Sequence, residues 1–341
     1  MSEDETESEP DTVRADGDKT GSNGLTYAET GVDIEASEDA TAALLDAFGS
    51  GLTTEYAGLL DIGDRYLALA TDGVGTKLLV AEAVGDFSTI GIDCIAMNVN
   101  DLVAAGVEPV AFVDYLAVEE PNDDLTAEIG IGLVEGLDAA NLTLLGGETA
   151  VMPEVISGFD LAGTCAGLAE KDDIIDEEPQ AGDVLVGFAS SGIHSNGLTL
   201  ARKAVTRRHE YDDEFPHNTE RTIGEELLHP TRIYTDLLEP MLEYEIRGAA
   251  HITGGGWTNL HRMGTRRYVV DDPLPVQPIF EFIQTEGDIS DEEMHRTFNM
   301  GTGFVVAMGP ERAEEFVEKT GGRIIGRVER GDEIEIRGLL L

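Results

Sequence analysis

Residues 90–118 read IGIDCIAMNVNDLVAAGVEPVAFVDYLAV, a helical pattern followed directly by a strand pattern. Apolar residues recur at spacings of three and four from Ile92 to Leu102, which predicts a helix that ends at Gly106. Residues 110–118 then form an apolar run with the length of a buried strand. Strands and helices alternate in the same way on both sides, which favours an α+β or α/β protein over a helical bundle.

The rest of the chain predicts further elements. In the first half these are a helix near residues 40–48, strands over 65–71, 141–147 and 159–170, and a helix over 123–140. In the second half they are a strand over 183–190, a helix over 197–209, a surface loop over 209–221, a helix around 231–243, a helix after the glycines 254–256, a strand over 303–308, and a final helix, turn and two strands. An acidic, proline-containing segment after residue 170 indicates a domain boundary. We therefore expect a disordered acidic tail over 1–24, an N-terminal domain over 25–170 and a C-terminal domain over 171–341.

The charge of the chain is far from that of an ordinary protein. It has 68 acidic and 22 basic residues, a formal net charge of -46, and only a small part of this excess lies in the first 24 residues. Self-repulsion of this size destabilises a compact chain in dilute buffer and is screened in molar salt. We interpret it as halophilic adaptation to a salt-rich cytoplasm. The same charge makes binding to nucleic acid or to an anionic membrane unfavourable.

The cysteine content and the N-terminus indicate a cytoplasmic protein. Two cysteines, Cys94 and Cys165, are too few for a disulfide framework or a structural zinc site. The first residues, MSEDETESEPD, have neither the basic start nor the apolar core of a signal peptide. No uncharged apolar run approaches the ~18 residues of a membrane span.

Four acidic residues stand where ligands commonly bind. Asp93 and Asn100 project from one face of the predicted helix, with Asp101 beside them. Asp72 and Glu148 follow apolar strands, at the strand ends where open sheets bind ligands. Oxygen ligands without histidine or cysteine suit Mg²⁺, which bridges carboxylates and nucleotide phosphates. We predict a Mg²⁺ site formed by these four acids, and a solvated helix face is the alternative for the helical ones.

The stretch DGVGTK, residues 72–77, resembles a phosphate-binding loop but matches neither of the two common patterns. A P-loop places Gly and Lys together before Ser or Thr, and the dinucleotide pattern needs a third glycine where Leu78 stands. We predict that the lysine contacts phosphate and that the aspartate reaches the nucleotide through Mg²⁺. The predicted nucleotide contacts are Asp72, Gly73, Gly75, Thr76 and Lys77.

A second candidate is the loop SSGIHSNG, residues 190–197, between a predicted strand and a predicted helix. N–H groups at a helix start attract anions. Serine and asparagine before a helix are also typical of a simple N-cap, which stays open as the alternative. The histidine between two glycines has no obvious place in a core. The predicted contacts are Ser191, Gly192, His194, Ser195 and Asn196, together with Gly147 before Glu148 and with Gly254 and Gly255 in the TGGG turn.

Eight segments of the chain, in order, resemble the phosphoribosylformylglycinamidine cyclo-ligase family, also called aminoimidazole ribonucleotide synthetases. They are YAETGVDIEA, DGVGTKL, GIDCIAMNVNDLVAAGVEPVAFVDYLAV, GGETAVMP, SSGIHSNGLTLARK, LLHPTRIY, HITGGGWTNL and RTFNMGTGF. The resemblance runs from about residue 27 to residue 341. It departs at Val151, where the family usually has glutamate, at residues 154–156, and at ETGVDIEAS, which commonly reads DAGVDIDAG.

The resemblance implies a fold, a reaction and partners. The implied fold has two α+β domains per subunit, with an ATP-binding N-terminal domain whose strands form a shared β-barrel in a homodimer. The implied reaction converts formylglycinamidine ribonucleotide and ATP, with Mg²⁺, into aminoimidazole ribonucleotide, ADP and phosphate. ATP phosphorylates the formamide oxygen, after which the amidine-side nitrogen attacks the activated carbon and phosphate leaves. The implied catalytic residues are Lys77, Asn100 and His194, the last in a polar or proton-transfer role.

Two other interpretations stay open. A thiamine-phosphate kinase or a selenophosphate synthetase of the same ATP-using superfamily is the first. The segment SSGIHSNGLTLARK fits the cyclo-ligase better than the kinase, and a synthetase would carry a Cys or Lys nucleophile loop near its N-terminus. The second is a nucleotide-binding regulatory protein without turnover, against which the full set of acids with Lys77 argues.

Overall fold

The computed structural model describes residues 24–31 and 56–341. The predicted helix near residues 40–48, and residues 1–23 of the predicted acidic tail, lie outside the described residues. Residues 24–31 contain one 3₁₀ turn, Ala28–Thr30, and lie against the second half of the chain, where the Leu25 N–H donates to the Gly287 carbonyl at 3.2 Å. Within the described ranges, no helix combines the length and the apolar character needed to cross a membrane.

The first half of the chain folds around a five-stranded sheet. Its elements, in chain order, are β1 (Gly58–Asp61), β2 (Arg65–Gly73), the 3₁₀ turn Gly75–Lys77, α1 (Leu78–Val84), α2 (Ile90–Ala104), β3 (Glu108–Val118), α3 (Asp123–Ala140), β4 (Thr143–Val151) and β5 (Phe159–Glu170). The strand order is β1-β2-β5-β3-β4, and β3 and β4 run parallel while the other neighbours are antiparallel. The strands and helices predicted between residues 65 and 170 are confirmed, although the predicted strand 141–147 begins later and continues to Val151.

Helices α2 and α3 cover one face of this sheet, and glycines let them approach each other closely. A Cβ atom at Gly91 would lie 2.1 Å from the Leu133 nitrogen, and one at Gly132 would lie 2.4 Å from the Ser88 carbonyl oxygen. Any larger side chain at these positions would push the helices apart. Close contact of the helices brings the polar stripe of α2 to a fixed place over the sheet.

Within residues 24–31 and 56–341, nothing covers the other face of the sheet. Apolar side chains on this face and at its β4 edge are Leu69, Val113, Tyr115 and Leu145, which are 49%, 41%, 42% and 71% exposed. Among the described strands, the sheet ends at β1 on one side and at β4 on the other, so these strands form an open sheet. The shared barrel therefore stays a prediction about two subunits.

The second half is built on a seven-stranded sheet in the order β14-β13-β10-β12-β6-β11-β9. Its elements are β6 (Val184–Ala189), α4 (Leu198–Val205), β7 (Glu214–Phe215), β8 (Asn218–Thr222), α5 (Ile223–Leu227), the 3₁₀ turn Thr235–Leu237, α6 (Leu238–Glu243), β9 (Gly248–His251), the 3₁₀ helix Gly256–Met263, β10 (Arg267–Val270), α7 (Pro278–Gly287), α8 (Asp291–Thr297), β11 (Thr302–Met308), the 3₁₀ turn Pro310–Arg312, α9 (Ala313–Thr320), β12 (Arg323–Glu329), β13 (Ile334–Ile336) and β14 (Leu339–Leu340). Trp257, Tyr268 and Phe304 are fully buried in its core.

Four predictions for this half need correction. Helix α4 ends at Val205 and not at residue 209, and the predicted loop 209–221 contains the β7–β8 hairpin. The helix after the glycines is a 3₁₀ helix. The predicted helix around 231–243 begins only at Thr235, because the preceding N–H groups of Thr231 and Tyr234 bond to side chains of α2.

Candidate active site

The polar stripe of α2 contacts an extended part of the second half, the bridging segment of residues 228–234. Asp93 Oδ1 accepts the Thr231 N–H at 2.9 Å and the Thr231 hydroxyl at 2.5 Å. Two turns further along α2, Asn100 Oδ1 accepts the Tyr234 N–H at 2.8 Å. The stripe that was predicted to face a ligand or solvent therefore holds backbone groups of the second half.

Lys77 lies next to Asp93, and both side chains are fully buried. Lys77 Nζ lies 2.9 Å from Asp93 Oδ1 and 2.7 Å from Oδ2, and it donates to the His229 carbonyl at 2.7 Å. Burial lowers the pKa of Lys77, and the negative charge of Asp93 opposes that shift. The contact of Lys77 with phosphate stays a prediction, and it requires one of these partners to be given up.

The DGVGTK loop lies against the start of α4. The Thr199 hydroxyl donates to Thr76 Oγ1 at 3.0 Å. The backbone at Gly75 has a φ of +71°, which favours glycine, and a Cβ there would meet open space. The Gly73 N–H donates to Asp72 Oδ1 at 2.7 Å. The DGVGTK loop therefore lies beside the helix that directly follows SSGIHSNG, a stretch that the sequence predicted separately.

The SSGIHSNG loop also packs on the bridging segment. The Ser191 hydroxyl donates to the Pro230 carbonyl at 2.6 Å. From the other side, Asn299 Nδ2 donates to the Gly192 carbonyl at 2.9 Å. The conformation of this loop is thus fixed by partners from two other parts of the second half.

The TGGG turn lies beside the end of the same loop. A Cβ built at Gly254 would lie 3.5 Å from Asn196 Oδ1, and Asn196 Nδ2 lies 3.9 Å from Met97 Sδ on α2. Gly255 has a φ of +93°, a conformation that favours glycine. The Ser195 hydroxyl is buried and has no hydrogen-bond partner in the described part of the chain. These contacts bring the predicted anion-binding loop, the glycine turn and α2 together.

His194 is fully buried, with a left-handed backbone at φ +65°. The Ser191 N–H donates to His194 Nε2 at 3.2 Å, which places the ring proton on Nδ1. Burial lowers the pKa of His194 well below its ordinary value, and the nearby positive charges act in the same direction. The ring is therefore neutral at neutral pH. Its Nδ1–H has no hydrogen-bond partner in residues 24–31 and 56–341.

Asp101 is the one residue of α2 that is not buried, and its side chain meets a histidine. His251 Nδ1 lies 3.0 Å from Asp101 Oδ1, and Nε2 lies 3.4 Å from Asn100 Nδ2. A carboxylate accepts and an amide nitrogen donates, so these contacts fit a neutral ring with its proton on Nδ1. Sequence reasoning did not single out His251. Its position two residues before the TGGG turn was the one signal that could have done so.

Asp72 is partly buried at the exit of β2, close to Asp101. Burial and then the charge of Asp101 raise the pKa of Asp72 to about 6, while the hydrogen bond from the Gly73 N–H and the side chains of His251 and Arg262 lower it. Two neighbouring carboxylates that repel each other form an arrangement that a divalent cation would stabilise.

Glu148 lies on the other face of the sheet from Asp72. Asp72 pairs with Gly163 on β5. Asp114 on β3 pairs with both Gly163 and Gly147. Directly paired residues share a face and successive residues alternate between faces. Gly147 therefore lies on the helix-covered face with Asp72, and Glu148 points to the uncovered face.

The predicted metal ligands do not assemble as one group within the subunit. In the described ranges, no three acidic, histidine or cysteine side chains have the geometry of a metal site. Asp93 is paired with Lys77, and Glu148 is on the opposite face of the sheet. Asp72 and Asp101 are the two whose charges repel each other, so they are the pair that a cation would relieve.

Comparison with known proteins agrees with this architecture. Residues 54–169 match the family model "AIR synthase related protein, N-terminal domain", and residues 180–338 match "AIR synthase related protein, C-terminal domain". The chain is 49% identical over 315 residues to the phosphoribosylformylglycinamidine cyclo-ligase of Methanococcoides burtonii, which covers 89% of this chain and 95% of that protein. It is 48% identical over 308 residues to the enzyme of the same name from Pyrococcus furiosus, covering 86% and 91%.

A solved structure, the thiamine monophosphate kinase of Aquifex aeolicus, superposes with a TM-score of 0.65 at 17% identity, covering 91% of this chain and 99% of that one. At this identity the likeness shows the fold alone. The two family models confirm the predicted two-domain α+β fold. From the identity to the curated relatives over most of their length, the chain belongs to the phosphoribosylformylglycinamidine cyclo-ligase family.

Proposed function

We propose that the chain catalyses the ATP-dependent closure of formylglycinamidine ribonucleotide to 5-aminoimidazole ribonucleotide, with release of ADP and phosphate, in purine biosynthesis. The observation that carries this proposal is the 49% identity to a named cyclo-ligase over 95% of its length. The likeness to the kinase structure, at 17% identity, supports the shared fold and gives no support to a kinase reaction. We further propose that the enzyme acts in a salt-rich cytoplasm, as its net charge of -46 indicates.

The carboxylates of Asp72 and Asp101 fit a Mg²⁺ ion. They are oxygen donors at the exit of β2 and near the end of α2, and burial together with the charge of Asp101 raises the pKa of Asp72, a shift that a bound cation would oppose. A bound Mg²⁺ would neutralise charge on the ATP phosphates during phosphoryl transfer. His251 would hold Asp101 in place through its Nδ1–H. Glu148 stays a proposed ligand that would have to act from the uncovered face of the sheet.

His194 is proposed as the polar catalytic residue. Its ring is neutral and its Nδ1–H has no partner in the described part of the chain, so it can donate a hydrogen bond to a substrate group. A fixed donor of this kind stabilises negative charge that develops during the reaction. Phosphorylation of the formamide oxygen makes phosphate the leaving group when the amidine-side nitrogen attacks. Because this closure is intramolecular, holding the substrate in a bent shape supplies much of the remaining acceleration.

The ribose phosphate of the substrate needs an anion site, and we place it at the SSGIHSNG loop and the TGGG turn. The loop precedes α4, and backbone N–H groups at a helix start attract anions. Asn196 lies beside Gly254, which joins the two features. The proposed contacts are Ser191, Gly192, Ser195, Asn196, Gly254 and Gly255, with Gly73, Gly75, Thr76 and Gly147 nearer to the nucleotide.

The uncovered sheet face supports a homodimer with a shared barrel. It exposes apolar side chains from three strands, including Leu69, Tyr115 and Leu145. Strand β4 is an edge whose free backbone groups can pair with another strand. An exposed apolar face beside a free edge is typical of a surface that another subunit covers. We propose that a second copy of the chain covers it.

The decisive assay measures ADP release with Mg²⁺ in molar KCl, using formylglycinamidine ribonucleotide, thiamine phosphate or selenide as the second substrate. Of the three second substrates, we expect turnover only with formylglycinamidine ribonucleotide, and we expect it to be faster in molar KCl than in dilute buffer. Asp72→Asn is the negative control and should lower turnover by at least about 100-fold. Turnover with thiamine phosphate or selenide would contradict the proposal, and no turnover with any of them would favour a regulatory nucleotide-binding protein.

Removing the charge of Asp72 should stabilise the metal-free protein at alkaline pH. The pKa of Asp72 is raised from 3.8 to about 6, so its contribution to stability is present below the ordinary pKa and is lost as the pH rises through about 6. Asp72→Asn should equal the wild type in free energy of unfolding at about pH 4 and exceed it by on the order of 1–3 kcal/mol at about pH 8. Denaturant unfolding in molar KCl with EDTA measures both values.

The control for this measurement is Asp138→Asn, which removes an exposed carboxylate on α3. It should change the free energy of unfolding by the same small amount at both pH values. Adding Mg²⁺ at about pH 8 should raise the Tm of the wild type more than that of Asp72→Asn, since the ion favours the ionised carboxylate. Unfolding curves of Asp72→Asn that match the wild type at both pH values would show that ionisation of this carboxylate does not destabilise the folded protein.

Dimer formation can be tested by sedimentation velocity in molar KCl. The wild type should sediment as a dimer, and Leu69→Glu should sediment as a monomer because it places a charge in the proposed interface. Val276→Glu is the matched control, since Val276 is 46% exposed but belongs to the second half. A monomeric wild type, or a dimeric Leu69→Glu, would exclude this face as the interface.

A further inference from the structure

The ion pair of Lys77 and Asp93 is enclosed by protein, and in the described part of the chain Asp93 Oδ2 has the ionic contact with Lys77 and no hydrogen bond. Lys77 Nζ contacts both carboxylate oxygens of Asp93, at 2.9 and 2.7 Å, and the His229 carbonyl at 2.7 Å. Asp93 Oδ1 accepts two further hydrogen bonds, from the N–H and the hydroxyl of Thr231. Neither side chain has exposed area. A phosphate or a metal ion would have to displace one of these partners to reach the pair.

The residues bonded to this ion pair belong to the bridging segment, whose other side carries the SSGIHSNG loop. The Ser191 hydroxyl donates to the Pro230 carbonyl at 2.6 Å. The Tyr234 hydroxyl donates to the Ala189 carbonyl at 2.9 Å, at the start of the same loop. The segment therefore lies between α2 and the loop and is bonded to both.

The bridging segment also lies beside the candidate catalytic groups. The Tyr234 ring lies edge-on to the His194 ring, with 6.4 Å between centroids. The Tyr234 N–H is held by Asn100, which is next to Asp101 on α2. A shift of the segment along α2 would therefore change the distance between the histidine donor and the carboxylate at the end of the helix.

We propose that Lys77 and Asp93 are positioning residues whose ion pair anchors the bridging segment to α2. The anchor sets the distance between the His194 loop and the carboxylates proposed for Mg²⁺. This inference rests on the proposed cyclo-ligase function and replaces the roles that the sequence predicted for both residues. Lys77 does not contact phosphate, and Asp93 does not bind the metal.

The sharpest test is a neutral pair, Lys77→Met with Asp93→Asn. Methionine fills the space of the lysine stem, and asparagine keeps an oxygen acceptor for the Thr231 donors. Lys77→Met alone leaves a buried carboxylate without its counter-ion, so we expect the Tm to fall by about 5 °C or more and turnover to fall at least about 100-fold. The double variant should regain most of the Tm and turn over within about 10-fold of the wild type, because no buried charge is left unpaired.

A direct phosphate contact predicts the opposite result for the double variant. Loss of such a contact in the transition state costs about 100-fold or more, whatever residue stands at position 93. A double variant that is no more stable or no more active than Lys77→Met therefore overturns the proposal. Turnover of the wild type with formylglycinamidine ribonucleotide tests the proposed function separately. The Tm of the double variant tests the anchoring role of the ion pair and does not depend on turnover.

A second pair of variants leaves the ion pair itself intact. Thr231→Val removes the hydroxyl that donates to Asp93, and Thr231→Ser keeps it. We expect Thr231→Val to lower kcat by about 3- to 10-fold, the scale of one hydrogen bond to a charged group, with KM for ATP unchanged. Thr231→Ser should stay close to the wild type. The same kcat in the wild type and both variants would overturn the proposal.

Discussion

Helix α2 is buried along nearly its whole length, so each of its polar side chains needs a partner inside the protein. Asp93 meets that need with Lys77 and the bridging segment, and Asn100 meets it with the same segment two turns later. Because these partners come from both halves of the chain, the helix fixes one sheet relative to the other. Of its residues, Asp101 alone is not buried, and it is the one left to act on a ligand.

Most strands and helices of the first half, and the polar residues of the candidate site, could be predicted from the sequence. It could not tell whether the stripe of Asp93 and Asn100 faces a ligand or another part of the protein, because both uses need the same residues at the same spacing. His251 was missed because its contact with Asp101 joins positions 150 residues apart. The face on which Glu148 lies depends on the register of β3 against β4, which shifts at a bulge between Phe112 and Val113.

The placement of Glu148 and the open sheet point to the same conclusion about assembly. Its face is the one with exposed apolar side chains, and its strand is one of the two edges of the sheet formed by the described residues. A carboxylate on that face cannot join Asp72 within the subunit, since the sheet itself separates them. Completion of the sheet by a second copy would give both the apolar face and this carboxylate a defined environment. The strands of the five-stranded sheet would then both cover the apolar face and place Glu148 relative to the candidate active site.

The most direct measurement is a crystal structure of the enzyme with Mg²⁺, formylglycinamidine ribonucleotide and a non-hydrolysable ATP analogue, grown in molar KCl. We expect the metal ion to contact Asp72 and Asp101, while Lys77 Nζ remains hydrogen-bonded to Asp93 and to the His229 carbonyl. We also expect His194 Nδ1 within hydrogen-bond distance of a substrate oxygen. Lys77 Nζ bound to a phosphate oxygen, with Asp93 on the metal ion, would contradict the anchoring role of this pair.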